Sequence, residues 1–89
     1  MRWTIQYAAA VRKDVRKLDP QMRARIREFL EQRVADLENP RSIGEALRGD
    51  ELGRFWKYRV GDYRVICAIE DAVLTVLVVR IGNRREVYR

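Results

Sequence analysis

The strongest constraint on the fold is an alternation of apolar and polar residues between 55 and 81, interrupted by two short polar turns. Trp56, Tyr58 and Val60 alternate with Lys57 and Arg59. Gly61-Asp62 follows, a two-residue hairpin signal. Beyond it, Tyr63, Val65, Cys67 and Ile69 alternate with Arg64, Ile66 and Ala68. Side chains on a strand point to opposite faces with a period of two, so both runs carry a strongly apolar face. Glu70-Asp71 marks a second turn. Residues 73–81 are almost all apolar and β-branched, the pattern of a central strand buried on both faces. A short last segment, 85–88, is expected to add to the sheet.

The first half reads differently. Residues 2–7 alternate, with Trp3, Ile5 and Tyr7 on one side, and predict a short strand. Residues 8–18 place Val11, Val15 and Leu18 at helical spacing. Asp19-Pro20 restarts a helix, with Asp as cap and Pro in the first helical position. Met22, Ile26, Phe29, Leu30, Val34 and Leu37 then form one apolar stripe, and Asn39-Pro40 ends it. Residues 40–53 look like a loop. The order β-α-α-β-β-β predicts an α+β fold: a twisted antiparallel sheet with an N-terminal helical hairpin packed on one face.

Composition narrows the function. With 89 residues, one domain spanning 1–89 is expected. Histidine is absent and cysteine occurs once, which removes His-based acid–base catalysis, His or Cys zinc sites and an internal disulfide. No metal or other cofactor is expected. A lone cysteine fits a reducing cytoplasm, and no apolar run is long enough to cross a membrane. The net charge of +6 points to an anionic partner. Residues 80–89 carry four arginines, Arg80, Arg84, Arg85 and Arg89, against Glu86.

The hairpin sharpens the charge reading. A turn at Gly61-Asp62 sets Val60 opposite Tyr63 and Arg59 opposite Arg64, with Lys57 on the face of Arg59. Like charges directly opposite on a sheet destabilise it. An anion site accounts for the three cations; so does a face whose arginines splay into water. The other face, with Trp56, Tyr58, Val60, Tyr63 and Val65, is expected to pack under the helices, and Cys67 is read as a small buried hydrophobe.

Several segments together resemble the RelE-type branch of the RelE/ParE toxin superfamily. They are Leu47-Arg48-Gly49, the block from Trp56 through Tyr63-Arg64 to Ile66, Ile81-Gly82-Asn83-Arg84, and Glu86-Val87-Tyr88. The N-terminal Tyr7-Ala8-Ala9-Ala10 and Lys17-Leu18-Asp19 fit as well. The match covers nearly the whole chain in order. The resemblance implies a small cytoplasmic toxin held inactive by a RelB-type antitoxin. It implies a metal-free endoribonuclease that enters the ribosomal A site and cuts the mRNA there. Carried onto this sequence, the family motif makes Lys57, Arg64, Arg84 and Tyr88 catalytic, and Arg48, Arg59 and Arg85 substrate contacts. Phe55 stands where some members carry a second lysine, and the Glu–His pair of other relatives has no histidine here.

Metal-free RNA cleavage needs a base for the 2′-OH, charge stabilisation at phosphorus and a proton for the leaving 5′-oxygen. A lysine serves as base only in its neutral form, which neighbouring cations favour. Arg64 suits a bidentate contact to the phosphate. Arg84 acts electrostatically, since a guanidinium scarcely gives up its proton. Tyr88 stacks on a base or orients the 2′-OH. A ParE-type poison of DNA gyrase that cuts no RNA shares the fold, and so does an inactive antitoxin-binding remnant. The Lys57, Arg64, Arg84 and Tyr88 set favours the ribonuclease. Direct DNA binding by the toxin alone is not expected.

Overall fold

The computed structural model describes residues 2–49 and 54–85. It contains one mixed sheet of five strands with two helices on one face. The strands are β1 (Thr4–Tyr7), β2 (Glu45–Ala46), β3 (Phe55–Val60), β4 (Tyr63–Glu70) and β5 (Thr75–Asn83). Their spatial order is β1-β5-β4-β3-β2. From β2 to β5 every pairing is antiparallel, as expected. The edge strand β1 departs from that reading, because it runs parallel to β5, with Thr4 beside Thr75 and Tyr7 beside Val78. Alternation in a four-residue strand specifies a face but not a partner. The direction follows from the return of the chain, which leaves β1, crosses over the helices and comes back through the meander to end beside it.

The β3–β4 hairpin has the expected register: Val60 pairs with Tyr63 and Arg59 with Arg64. Gly61 holds a φ of +60°. A left-handed residue at the first central position of a two-residue turn matches the twist of the flanking strands, and glycine takes it without steric cost. The second turn is longer than Glu70-Asp71. Residues Asp71–Val73 make a 3₁₀ turn and Leu74 closes it at φ +47°, so β5 begins at Thr75. The Arg41 guanidinium donates to both Asp71 carboxylate oxygens at 2.9 and 3.0 Å. That bond holds the Asp71 carboxyl below its ordinary pKa. A lowered folded-state pKa means the pair stabilises at neutral pH, and that help fades as pH falls through the lowered value. β5 ends at Asn83, and Arg85 lies in a turn. The rest of the expected segment 85–88 falls outside the described residues.

The helices form where the apolar spacing places them. Helix α1 (Val11–Arg16) is shorter than expected. Helix α2 (Pro20–Glu28) starts with Pro20 in the first turn, and the Asp19 side chain accepts from Met22 N–H at 2.9 Å. Its continuation, Phe29–Val34, widens into a π-helix. Ala35 N–H bonds to Leu30 C=O at 2.9 Å, five residues back. The wider turn rephases the stripe so that Val34 and Ala35 are both buried, while Phe29 and Leu37 are only half-buried. The Ala35 carbonyl then accepts from Arg2 and Trp3 N–H, fixing the entry to β1. Asp14 on α1 accepts from Ile81 N–H at 2.9 Å, so α1 is tied to β5 by a hydrogen bond as well as by packing.

The core lies between the sheet and the helices. It contains Trp3, Val11, Leu18, Ile26, Leu30 and Val34 from the first half, and Tyr58, Val65, Cys67 and Val78 among others from the sheet. Trp56 and Tyr63 pack against it. Tyr58 is fully buried and donates to Pro40 C=O at 2.6 Å. Burial pushes both the Tyr58 phenol and the Cys67 thiol up in pKa. Strand β5, expected to be buried on both faces, buries Val76, Val78 and Ile81 toward the helices and leaves Leu77 and Val79 half-buried.

Two outcomes follow from this packing. Tyr58→Phe leaves the Pro40 carbonyl without its partner and costs about 1–3 kcal/mol, measured by urea denaturation. Cys67 resists an aromatic disulfide reagent in the native protein and reacts at the free-thiol rate once urea unfolds the chain.

Candidate active site

The sheet face opposite the helices carries the cations. Period two places Lys57, Arg59 and Arg64 there, because Tyr58, Val60 and Val65 point into the core. Arg64 is held against the turn: its Nη1 donates to Tyr63 C=O at 3.1 Å and reaches Gly61 C=O at 3.4 Å. The chain leaving β5 supplies the next cation. Arg84 N–H bonds to Asp62 C=O at 3.1 Å, which hooks the end of β5 onto the hairpin turn.

The remaining wall comes from residues 40–46, read from sequence as loop. Pro40–Ser42 form one 3₁₀ turn, and Asn39 accepts from Arg41 N–H at 2.9 Å. Two aromatic donors then fasten the segment to β3: Tyr58 through Pro40, and Trp56, whose indole N–H gives to Ile43 C=O at 2.7 Å. Gly44 sits at φ +80° in the tightest spot. A Cβ there would lie 2.5 Å from Lys57 C=O and 2.8 Å from the Trp56 indole nitrogen. Only glycine allows that approach, and it brings Glu45 into register with Lys57. The Glu45 carboxylate lies 3.6 Å from Lys57 Nζ.

These pieces enclose a cleft of about 300 Å³ lined by Lys57, Arg59, Arg64 and Arg84, with Gly44, Glu45 and Tyr58. Three residues expected to be catalytic, Lys57, Arg64 and Arg84, are thus brought together with the expected substrate contact Arg59. Arg85 lies next door, in a polar depression with Asp62, Asn83 and Arg84. Arg48 is exposed in the turn after β2 and does not line the cleft. Tyr88 falls outside the described residues. Glu45 is the functional candidate that sequence reading passed over. A two-residue strand shows no period, and the sole signal was a Gly-Glu pair inside an apparent loop. Among the described residues four cations face one carboxylate, a balance that favours anions over cations. Among the described residues, no group of three or more His, Cys, Asp or Glu side chains assembles. None of the described helices is long and apolar enough to cross a membrane.

The fold and the cleft define a class: a small α+β domain with a cationic cleft on the open face of its sheet. Comparison with known proteins narrows the class to a family. The chain matches the family described as ParE toxin of type II toxin–antitoxin system, parDE, over residues 5–88. It is 33% identical over 90 residues to Toxin RelG of Mycobacterium tuberculosis, covering 100% of this chain and 99% of that protein. It is also 33% identical to Toxin RelE of the same organism, over 96% of this chain and 84% of that one. In structure it resembles a chain of the toxin–antitoxin complex RelBE2 from M. tuberculosis, with a TM-score of 0.79 and 29% identity over 97% of this chain and 95% of that chain. The isolated Escherichia coli RelE toxin shares the fold at a TM-score of 0.73 and 23% identity, over 97% and 90% of the two chains. The chain belongs to the RelE/ParE superfamily and is a RelE-type toxin of a type II toxin–antitoxin system.

The Gly44 contact yields a direct test. Gly44→Ala places a methyl group against the Lys57 carbonyl at a positive φ. It is expected to cost more than about 1 kcal/mol of stability in chemical denaturation, and to shift the Glu45 and Lys57 resonances in an NMR spectrum.

Proposed function

We propose that this toxin is a ribosome-dependent, metal-free endoribonuclease that cuts mRNA in the A site and so blocks translation. The convergence of Lys57, Arg64 and Arg84 in one cleft carries the reading. Three separate stretches of chain supply those cations, and a basic surface without a task has no need to gather them. The substrate is RNA, because the attacking group is its 2′-OH. The 2′-oxygen bonds to the adjacent phosphorus as the bond from phosphorus to the 5′-oxygen breaks, and the leaving 5′-oxygen takes a proton from solvent, giving a 2′,3′-cyclic phosphate and a free 5′-hydroxyl end. The Lys57–Glu45 pair takes the 2′-OH proton. Glu45 is the one lining carboxylate among the described residues, a group that accepts a proton without first losing one. Arg64 bridges the phosphate oxygens, and its bonds to the hairpin backbone hold it in place before substrate arrives. Arg84 adds charge stabilisation where negative charge develops, Arg59 holds the flanking backbone, and Tyr88 stacks on or orients the nucleotide. Arg48 and Arg85, outside the cleft, suit contacts to the ribosome or to RNA beyond the cut.

A cleft of cations without histidine is a weak catalyst alone. Geometry imposed on the mRNA by the ribosome supplies the missing barrier reduction. This places the toxin in the cytoplasm. Its antitoxin is of the RelB type and covers or displaces the segment from Arg84 to Tyr88. Similar chains in the toxin–antitoxin complex RelBE2 of M. tuberculosis and in a RelB–RelE antitoxin–toxin complex of Methanococcus jannaschii support that partner. A second reading is favoured by the match to the ParE toxin description: a poison of DNA gyrase that shares this fold and cuts no RNA.

Primer extension on mRNA in a cell-free translation reaction tests the reading. Cuts inside A-site codons are expected, only when ribosomes are present. Arg64→Ala and Lys57→Ala each lower the cutting by about 100-fold or more, with circular dichroism unchanged. Intact mRNA with the wild-type protein overturns the ribonuclease, and gyrase-linked DNA breaks in its place establish the second reading.

A further inference from the structure

The outer face of α2 and of its π-helical continuation carries a shallow concave surface of about 690 Å³, sharing no lining residue with the cleft. Its charged residues are Arg25, Glu28, Arg33 and Asp36. Together with Phe29, Gln32 and Leu37 they recur every three or four positions, so they form one stripe along the helix. The four charged residues and Gln32 are exposed, while Phe29 and Leu37 are half-buried among them. Arg25 and Glu28 are three positions apart, as are Arg33 and Asp36, a spacing at which side chains of one helix meet. Neither pair forms a salt bridge among the described residues. Phe29 is held edge-on against Tyr58, with 5.7 Å between ring centroids, and the Arg33 guanidinium stands 6.0 Å from the Phe29 ring centre.

The order of residues along the stripe is symmetric. Arg25 and Asp36 are equally far from the midpoint between Leu30 and Glu31, and opposite in charge. The same holds for Glu28 and Arg33, while Phe29 mirrors Gln32 and Leu37 mirrors Ala24. A two-fold axis through that midpoint lays the stripe antiparallel on its own copy. Each arginine then lies level with a carboxylate of the other copy, Arg25 with Asp36 and Arg33 with Glu28. The lateral offset between neighbouring rows on a helix, about 5–6 Å, is within the reach of an arginine.

We infer that this stripe is a self-complementary interface through which two copies of the chain pair antiparallel. Charge selects the occupant. The chain carries +6, so most contacts between copies are repulsive. The cleft is net cationic, and so is the space between α1 and α2, lined by Arg12, Arg16, Arg23 and Arg27. The α2 stripe has two cations and two anions, and its charge order fits itself. The contact is short and rich in charge, so the dimer is a weak one. It leaves Lys57 and Arg64 open, because the cleft is on the other face of the sheet. The inference does not rest on the ribonuclease reading.

Sedimentation equilibrium of the whole chain, from micromolar to millimolar concentration, tests it. The wild type is expected to pass from monomer to dimer as concentration rises. Arg25→Glu with Arg33→Glu leaves only acids among the four charges and weakens self-association by about tenfold or more. Glu28→Arg with Asp36→Arg leaves only arginines and does the same. Mixed in equal amounts, the two variants pair as readily as the wild type. If circular dichroism shows either variant misfolded, the ¹⁵N spectrum of the wild type decides. Concentration-dependent shifts are expected there at Arg25, Glu28, Gln32 and Arg33, with none at Lys57 or Arg64. A wild type that stays monomeric throughout overturns the proposal and leaves the stripe to a different protein or to solvent. A dimer that both charge variants leave intact, folded variants that do not pair when mixed, or shifts centred on another face also overturns it.

Discussion

The cationic cleft of this protein depends on the register of the β3–β4 hairpin. With Gly61 turning at a positive φ, Val60 meets Tyr63 and the alternation of both strands falls into phase. One face then holds Tyr58, Val60, Val65 and Cys67 against the helices, and the other holds Lys57, Arg59 and Arg64. A slip of one residue would send the cations into the core and the aromatics into water, so the register is strongly specified. The same pairing forces Arg59 and Arg64 face to face. That arrangement carries an electrostatic cost that the rest of the hairpin must offset. The hydrophobic effect thus secures a charge cluster that electrostatics alone would disperse.

The cleft needs a second wall, and residues 40–46 build it, fastened to β3 by hydrogen bonds and by the burial of Pro40. Tyr58 reaches through the core to the Pro40 carbonyl, and Trp56 takes the Ile43 carbonyl. The pull is tight enough that Gly44 leaves no space for a side chain. Glu45 is delivered next to Lys57 as a result. The same aromatic residues that seal the core therefore set the position of the carboxylate of Glu45 at the cleft. Core packing and site geometry are one construction here, and a change at Tyr58 or Trp56 is felt at the cleft.

The helical hairpin plays a different part. Its inner face covers the sheet, aided by the π-turn that buries Val34 and Ala35 together. Between its helices remains a groove whose apolar floor is ringed by arginines. The molecule thus carries a cationic cleft on one face of its sheet and an apolar groove with a cationic rim on the other.

The residues by themselves determined the meander, its turn at Gly61, the face on which Lys57, Arg59 and Arg64 lie, the Asp19-Pro20 helix start and the basic balance. These are local or periodic properties, written in neighbours along the chain. The motifs also placed Arg84 with that cationic group, and the cleft brings it there. What the tertiary structure alone decided was long-range. Strand β1 joins β5 in parallel, since a short strand carries no record of its partner. Glu45 enters the cleft through a two-residue strand too brief to show a period. The π-turn changes which stripe residues are buried, because backbone hydrogen bonding shifts by one residue without a sequence mark. Arg48 and Arg85 are left outside the cleft while Arg84 is drawn in, since a single bond to the Asp62 carbonyl fixes where the chain leaves β5. Pattern specifies which face a residue occupies; contacts between distant segments specify what it faces.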